Sequence, residues 1–276
     1  MRATRLAFHA VFLTAAFSAA PAFAVPALQA HRAVYDLTLN KASDRSGITG
    51  ITGRMVYEFN GSPCEGYTVK FRMVTQIVTS DNTRLTDQQT TTFEDAEGKT
   101  FSFVTKSFVD QNLDKEVKGT ATKETKGLKV EIDKPEKNSV ELAATQFPTQ
   151  HLVELIGKAE KGENFYETNL FDGSEDANKV MTTTVVVGKK TDADKADLEA
   201  PALAKLATDK YWPVDIAYFD DTDKSGEEVP EYRISFKLHE NGITRDLVMD
   251  YGDFSMTGKL VNLSLFDQTK PCPVSK

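Results

Sequence analysis

Apolar and polar residues alternate along most of this chain with a period of two, the pattern of strands that bury one face. Over residues 31–39, Ala33, Tyr35, Leu37 and Leu39 share a face; over 47–59, Met55, Tyr57 and Phe59 do. A third stretch opens at Gly61 and Cys64 and runs to Thr79. It sets Tyr67, Val69, Phe71 and Met73 against Thr68, Lys70 and Arg72, and Asn60-Gly61 is the hairpin turn expected before it. Residues 83–95 are rich in β-branched Thr, and Ala96-Glu97-Gly98 turns them into 99–110, which carries Phe101, Phe103 and Phe108. Shorter strands at 116–122 and 128–132 flank a turn at Lys126-Gly127, and 140–143 forms a further edge.

The helical period appears clearly once. Leu152, Leu155, Ile156 and Ala159 recur at i, i+3, i+4 and i+7, with Thr149 the expected N-cap and Gly162 the C-cap. This segment should lay its apolar stripe on the sheet. Strands resume at 164–172, 179–189, 211–220, 231–240 and 243–266, with Asn241-Gly242 as a strong hairpin signal. The polar, Ala-rich stretch 192–206, broken by Pro201, reads as one or two short surface helices. About thirteen strands and one long helix predict an all-β fold, mainly antiparallel, of the sandwich or barrel kind. Clean alternation implies one buried and one wet face.

The first residues change the picture. Arg2 and Arg5 precede an apolar run at 6–20 and the A-x-A-like Ala22-Phe23-Ala24, the layout of a secretory signal peptide. Cleavage after Ala24 would leave residues 25–276 as one domain, exported and expected in the periplasm. It would also make the formal net charge of −8 two units more negative. An acidic chain is a poor partner for nucleic acid, and no later stretch is apolar enough to span a bilayer. Two cysteines in an exported chain favour one disulfide, Cys64 to Cys272. A redox pair or half of a metal site are the other readings, but there is no C-x-x-C and no His beside either cysteine in sequence.

Candidate chemistry is sparse. Gly173-Ser174-Glu175 is not a nucleophile elbow. The histidines after the signal are His31, His151 and His239, expected as ordinary surface residues, and His151 with Glu154 lacks the second His of a zinc helix. Asp221-Thr222-Asp223-Lys224-Ser225-Gly226 matches the opening of a calcium loop, making Asp221, Asp223 and Ser225 weak metal candidates. Tyr232 stands where the bidentate Glu is needed. No cofactor is expected. The 17 Phe and eight Tyr fill a core or, if a curved sheet leaves its concave face open, line a groove for a lipid or acyl chain.

The blocks 31–37, 50–74 with Gly53-Arg54-Met55-Val56-Tyr57-Glu58-Phe59 and Ser62-Pro63-Cys64-Glu65-Gly66-Tyr67, and 87–95, resemble the EipB family of periplasmic envelope-integrity proteins. So do Phe147-Pro148-Thr149-Gln150-His151, Leu170-Phe171-Asp172-Gly173-Ser174-Glu175 and Asn241-Gly242-Ile243. The resemblance implies an antiparallel sheet of about 13–14 strands rolled into an open β-spiral or half-barrel, with short helices packed against it. It also implies a disulfide carried onto Cys64 and Cys272. It points to a non-catalytic role in keeping the cell envelope intact, by binding an envelope protein, lipoprotein or lipid on a concave face. A hydrolase acting on peptidoglycan or envelope glycans is the alternative.

Overall fold

The computed structural model describes residues 28–220 and 229–267. The strands are β1 (His31–Ala42), β2 (Ile48–Ser62), β3 (Gly66–Thr79), β4 (Thr83–Glu94), β5 (Thr100–Val109), β6 (Asn112–Glu124), β7 (Gly127–Lys134) and β8 (Asn138–Leu142). After helix α1 (Pro148–Glu160) come β9 (Phe165–Leu170) and β10 (Met181–Val187). After the short helix α2 (Ala200–Leu203) come β11 (Trp212–Asp220), β12 (Tyr232–Leu238), β13 (Thr244–Asp250) and β14 (Phe254–Leu265). All of them form one 14-stranded antiparallel sheet in the order β8 to β1, then β14 to β9. Two meanders thus meet along the β1–β14 seam, where Leu37 lies opposite Gly258 and Tyr35 opposite Leu260.

The sheet does not close on itself: its edges are β8 and β9. It rolls into an open spiral, because Phe171, just beyond β9, packs on Phe101 and Phe103 of β5, with ring centroids 6.2 and 5.8 Å apart. That approach requires Gly173. Its φ of +69° is a left-handed conformation that favours glycine, and a Cβ there would lie 2.6 Å from the Phe103 ring.

The period-two reading extends to fourteen strands because 243–266 is two strands. Gly252, with φ +80°, turns the chain between β13 and β14. The hairpin between β2 and β3 also falls elsewhere. Asn60 and Gly61 stay in the ladder, opposite Thr68 and Tyr67, and the turn is Pro63-Cys64-Glu65. Asn241-Gly242 does turn β12 into β13, with the Gly242 amide donating to the His239 carbonyl at 2.9 Å.

The helix begins earlier than its spacing suggests. Its N-cap is Phe147 and Pro148 is the first helical residue, so Thr149 lies inside the first turn. At the other end Lys161 is the C-cap, and Gly162 takes the left-handed conformation one residue later. The Gly162 and Glu163 amides donate to the Ala159 and Lys158 carbonyls, which closes a Schellman motif. Leu155, Ile156 and Ala159 are buried against the inner face of the sheet. No helix among the described residues is long and apolar enough to cross a membrane.

Candidate functional site

The inner face has three parts. Along β1, β14 and β9–β13 it is apolar and covered: α1 and α2 press Leu155, Ile156 and Leu203 onto Tyr35, Leu37, Trp212, Ile216, Leu238 and Leu260. At the β5–β8 end a second cluster gathers Phe101, Phe103, Val117, Leu128 and Val130 around Phe147 and Phe171. Between the two lies a strip that neither cluster covers fully. Directly opposite residues share a face, so the row Tyr35, Met55, Met73, Gln88, Ser107 can be followed across five strands. The neighbouring row is Ala33, Tyr57, Phe71, Thr90, Thr105. Both pass from buried apolar residues on β1 to half-buried Phe71 and Met73 on β3. They then reach half-buried uncharged polar residues on β4 and β5. Hydroxyl pairs run across this floor, Thr75 to Thr86 at 2.6 Å and Thr90 to Thr105 at 3.0 Å.

Two anchors hold the helices on either side. Phe147 has no side-chain acceptor for the first turn of α1, and a carboxylate from β4 takes that place. Glu94 accepts from the Thr149 amide at 2.8 Å and the Gln150 amide at 3.2 Å. Burial raises the Glu94 pKa; the two amides and the charge of Lys123 offset only part of this. Gln150 extends the anchor, accepting from Lys123 and donating to the Gly98 carbonyl.

The second anchor corrects the expectation for 192–206. This stretch is not a surface appendage: Glu199, Leu203 and Leu206 are buried. Arg245 of β13, 1% exposed, donates to Asp197 and Glu199 and, through Nε, to His239 Nε2 at 3.0 Å. Glu199 also accepts from the Leu260 amide at 2.6 Å and the Asp246 amide at 3.1 Å. For Asp197 burial alone would raise the pKa, but the Glu199 amide and Arg245 reverse the shift and hold it below the ordinary value.

The three histidines are likewise buried, not on the surface: His31, His151 and His239 are 3%, 5% and 2% exposed. Burial depresses all three, His151 and His239 to about 4, with the Arg245 charge adding to the effect at His239. They lie in different parts of the fold: His31 Nδ1 contacts the Gln29 carbonyl, and His239 Nε2 accepts from Arg245.

Cys64 sits in the β2–β3 turn, while Cys272 lies outside the described residues. So do the calcium candidates Asp221, Asp223 and Ser225, as well as Ala24 and the apolar leader. The carboxylates that flank the calcium stretch are engaged: Asp220 and Glu231 each bind Lys179 at 2.8 Å, and Glu175 joins them at 2.9 Å. A cleft of about 690 Å³ opens where α1 ends, lined by Glu160, Glu163, Asn164, Lys190, Trp212 and Glu240. Lys190 lies over the Trp212 ring at 4.6 Å and pairs with Glu240, so the indole is covered.

An open antiparallel spiral whose helices cover part of one face defines a β-barrel-like class of protein. Within that class the chain belongs to the EipB-like family, which it matches over residues 22–267. It is 55% identical, over 98% of both chains, to the cell envelope integrity protein EipB of Brucella abortus (strain 2308). Its fold matches a crystal structure from Brucella abortus described as a beta-barrel-like protein of a domain of unknown function. The TM-score is 0.85 at 57% identity, covering 87% of this chain and 99% of the other.

Proposed function

We propose that this is a non-catalytic periplasmic protein that maintains cell-envelope integrity by binding an envelope protein, lipoprotein or lipid on its concave face. The strip on β2–β5 carries this reading. It joins the half-buried apolar Phe71, Met73 and Ile77 to the uncharged Thr86, Gln88, Thr90 and Ser107. Such a floor suits an apolar chain with neutral polar groups at one side. The name of the Brucella relative supports the envelope role. The glycan-hydrolase alternative would need a carboxylate free to take or give a proton. The buried acidic pair described here, Asp197 and Glu199, is instead clamped on Arg245.

In this reading residues 1–24 are the removed signal, 25–276 form one domain, and Cys64 bonds Cys272. The bond would tie the β2–β3 turn to the end of the chain, with stabilisation of at most roughly 5 kcal/mol from loop closure. Alkylation without reductant should label neither cysteine; two labels would refute the bond. For the ligand, native mass spectrometry of protein purified from periplasm should show a bound lipid or peptide. Met73→Lys should lose that ligand and keep the fold. An apo mass for both proteins under gentle conditions would end the binding reading.

A further inference from the structure

Around Glu154, in the middle of α1, three buried polar atoms have no hydrogen-bond partner among the described residues: Gln146 Oε1, His151 Nε2 and Tyr166 OH. They belong to one neighbourhood. Gln146 donates its Nε2 to Glu154, which fixes the amide so that Oε1 is the free end; the flipped amide would set oxygen against carboxylate. His151 lies one turn before Glu154 on the same side of the helix. Lys158 Nζ is 3.8 Å from Glu154 and 4.8 Å above the Tyr166 ring. His151 and Tyr166 are more than nine-tenths buried, whereas 33% of the Glu154 side chain reaches solvent, which leaves a way in.

A buried polar atom without a partner costs free energy, and native proteins keep few of them. Three beside one carboxylate call for a polar group that completes them. Their chemistry says which kind. Gln146 Oε1 and the Glu154 carboxylate can only accept, the Tyr166 oxygen can accept, and a neutral imidazole nitrogen accepts when the other carries the proton. Burial keeps His151 neutral at physiological pH. Lys158 is shared between Glu154 and Glu163, so the neighbourhood keeps one negative charge in excess. Convergent acceptors with a net negative charge match a small cation with several N–H donors.

We propose that Gln146, His151, Glu154 and Tyr166 form a site for a primary ammonium group, carried by an aminoalkyl lipid headgroup or by a free alkylamine. The site is separate from the strip on β2–β5 and stands whether or not that strip holds a ligand.

The test is calorimetric titration of the full exported chain with n-butylamine. Saturable binding is expected, with tetramethylammonium and n-butanol, which lack the charge or the N–H donors, at least about tenfold weaker. Glu154→Gln should weaken butylamine binding about tenfold and Tyr166→Phe about threefold. Without amine, Tyr166→Phe should melt at or above the wild-type temperature, because it removes an unpartnered hydroxyl. In parallel, phosphatidylcholine vesicles containing phosphatidylethanolamine or phosphatidylglycerol separate the sources. Capture by the ethanolamine lipid alone assigns a headgroup; butylamine binding with no vesicle preference assigns a free amine. The proposal falls if butylamine shows no saturable binding, if it binds Glu154→Gln as tightly as wild type, or if Tyr166→Phe melts several degrees lower. Should Glu154→Gln fail to fold, the Tyr166→Phe affinity and melting point decide the matter.

Discussion

On β1 the inward side chains Ala33, Tyr35 and Leu37 are all buried, whereas three strands away on β4 the inward Thr86, Gln88 and Thr90 are only half-buried. Both sets belong to the same rows of one sheet. The difference lies in what is laid over them. α1 and α2 cover the β1 side, and each is fastened by a buried carboxylate on sheet or loop: Glu94 to helix amides, Asp197 and Glu199 to Arg245. The inward residues of β4 stay half-buried among the described residues, and they are of kinds that tolerate water. Stability and the proposed binding would therefore be divided along the same face, and substitutions should separate them.

The largest effect is expected at Arg245. Arg245→Met leaves Asp197 and Glu199 buried without their cation and should cost about 3–5 kcal/mol in urea denaturation. Adding Asp197→Asn and Glu199→Gln to it should recover part of that loss; no recovery would mean that Arg245 acts through packing alone. Next comes acid sensitivity. His151 and His239 have folded pKa values of about 4 against an ordinary 6.5, so their contribution is fully present above 6.5. It is lost as pH falls toward 4, because the unfolded chain takes up protons first. At about 1.4 kcal/mol per pH unit each histidine contributes roughly 3 kcal/mol to this loss. His151→Asn should flatten the profile measured by denaturation between pH 7 and 4.

Glu94 should behave oppositely and more weakly. Its folded pKa is raised, so its contribution grows as pH falls through that value. Glu94→Gln keeps an acceptor for the α1 amides and should change stability by only about 1 kcal/mol at pH 7. The variant should also remove the gain on mild acidification. The smallest effects belong to the strip: Gln88→Leu should stay within about 0.5 kcal/mol of wild type by thermal melting. A loss of several kcal/mol there would show that the strip is core and erase the contrast drawn above.

Strand existence was legible because alternation reports which residues share a face. The break between β13 and β14 was not, since apolar residues lie close on both sides and only the short Asp250-Tyr251-Gly252-Asp253 stretch marks the turn. Alternation also says nothing about what covers a face, so Thr86 and Tyr35 read alike as inward positions of good strands. The anchors were invisible for another reason. Arg245 finds Asp197 48 residues away and Glu94 finds Thr149 55 residues away, and such pairs leave no local spacing to read. His239 illustrates both failures: alternation within 231–240 placed it on the polar side, yet Arg245 and Tyr211 pack against it.

The β1–β14 seam has a consequence for how the molecule comes into being. Among the described strands β1 is synthesised first and β14 last, yet the two are neighbours within the sheet. Until the final strand arrives, the β1–β8 meander keeps an unpaired edge bearing Ala33, Tyr35 and Leu37, open to any other extended chain nearby. The ladder that joins the two meanders thus cannot form until β14 is available. A chain stalled or clipped before residue 254 would leave this edge exposed, which is an aggregation hazard.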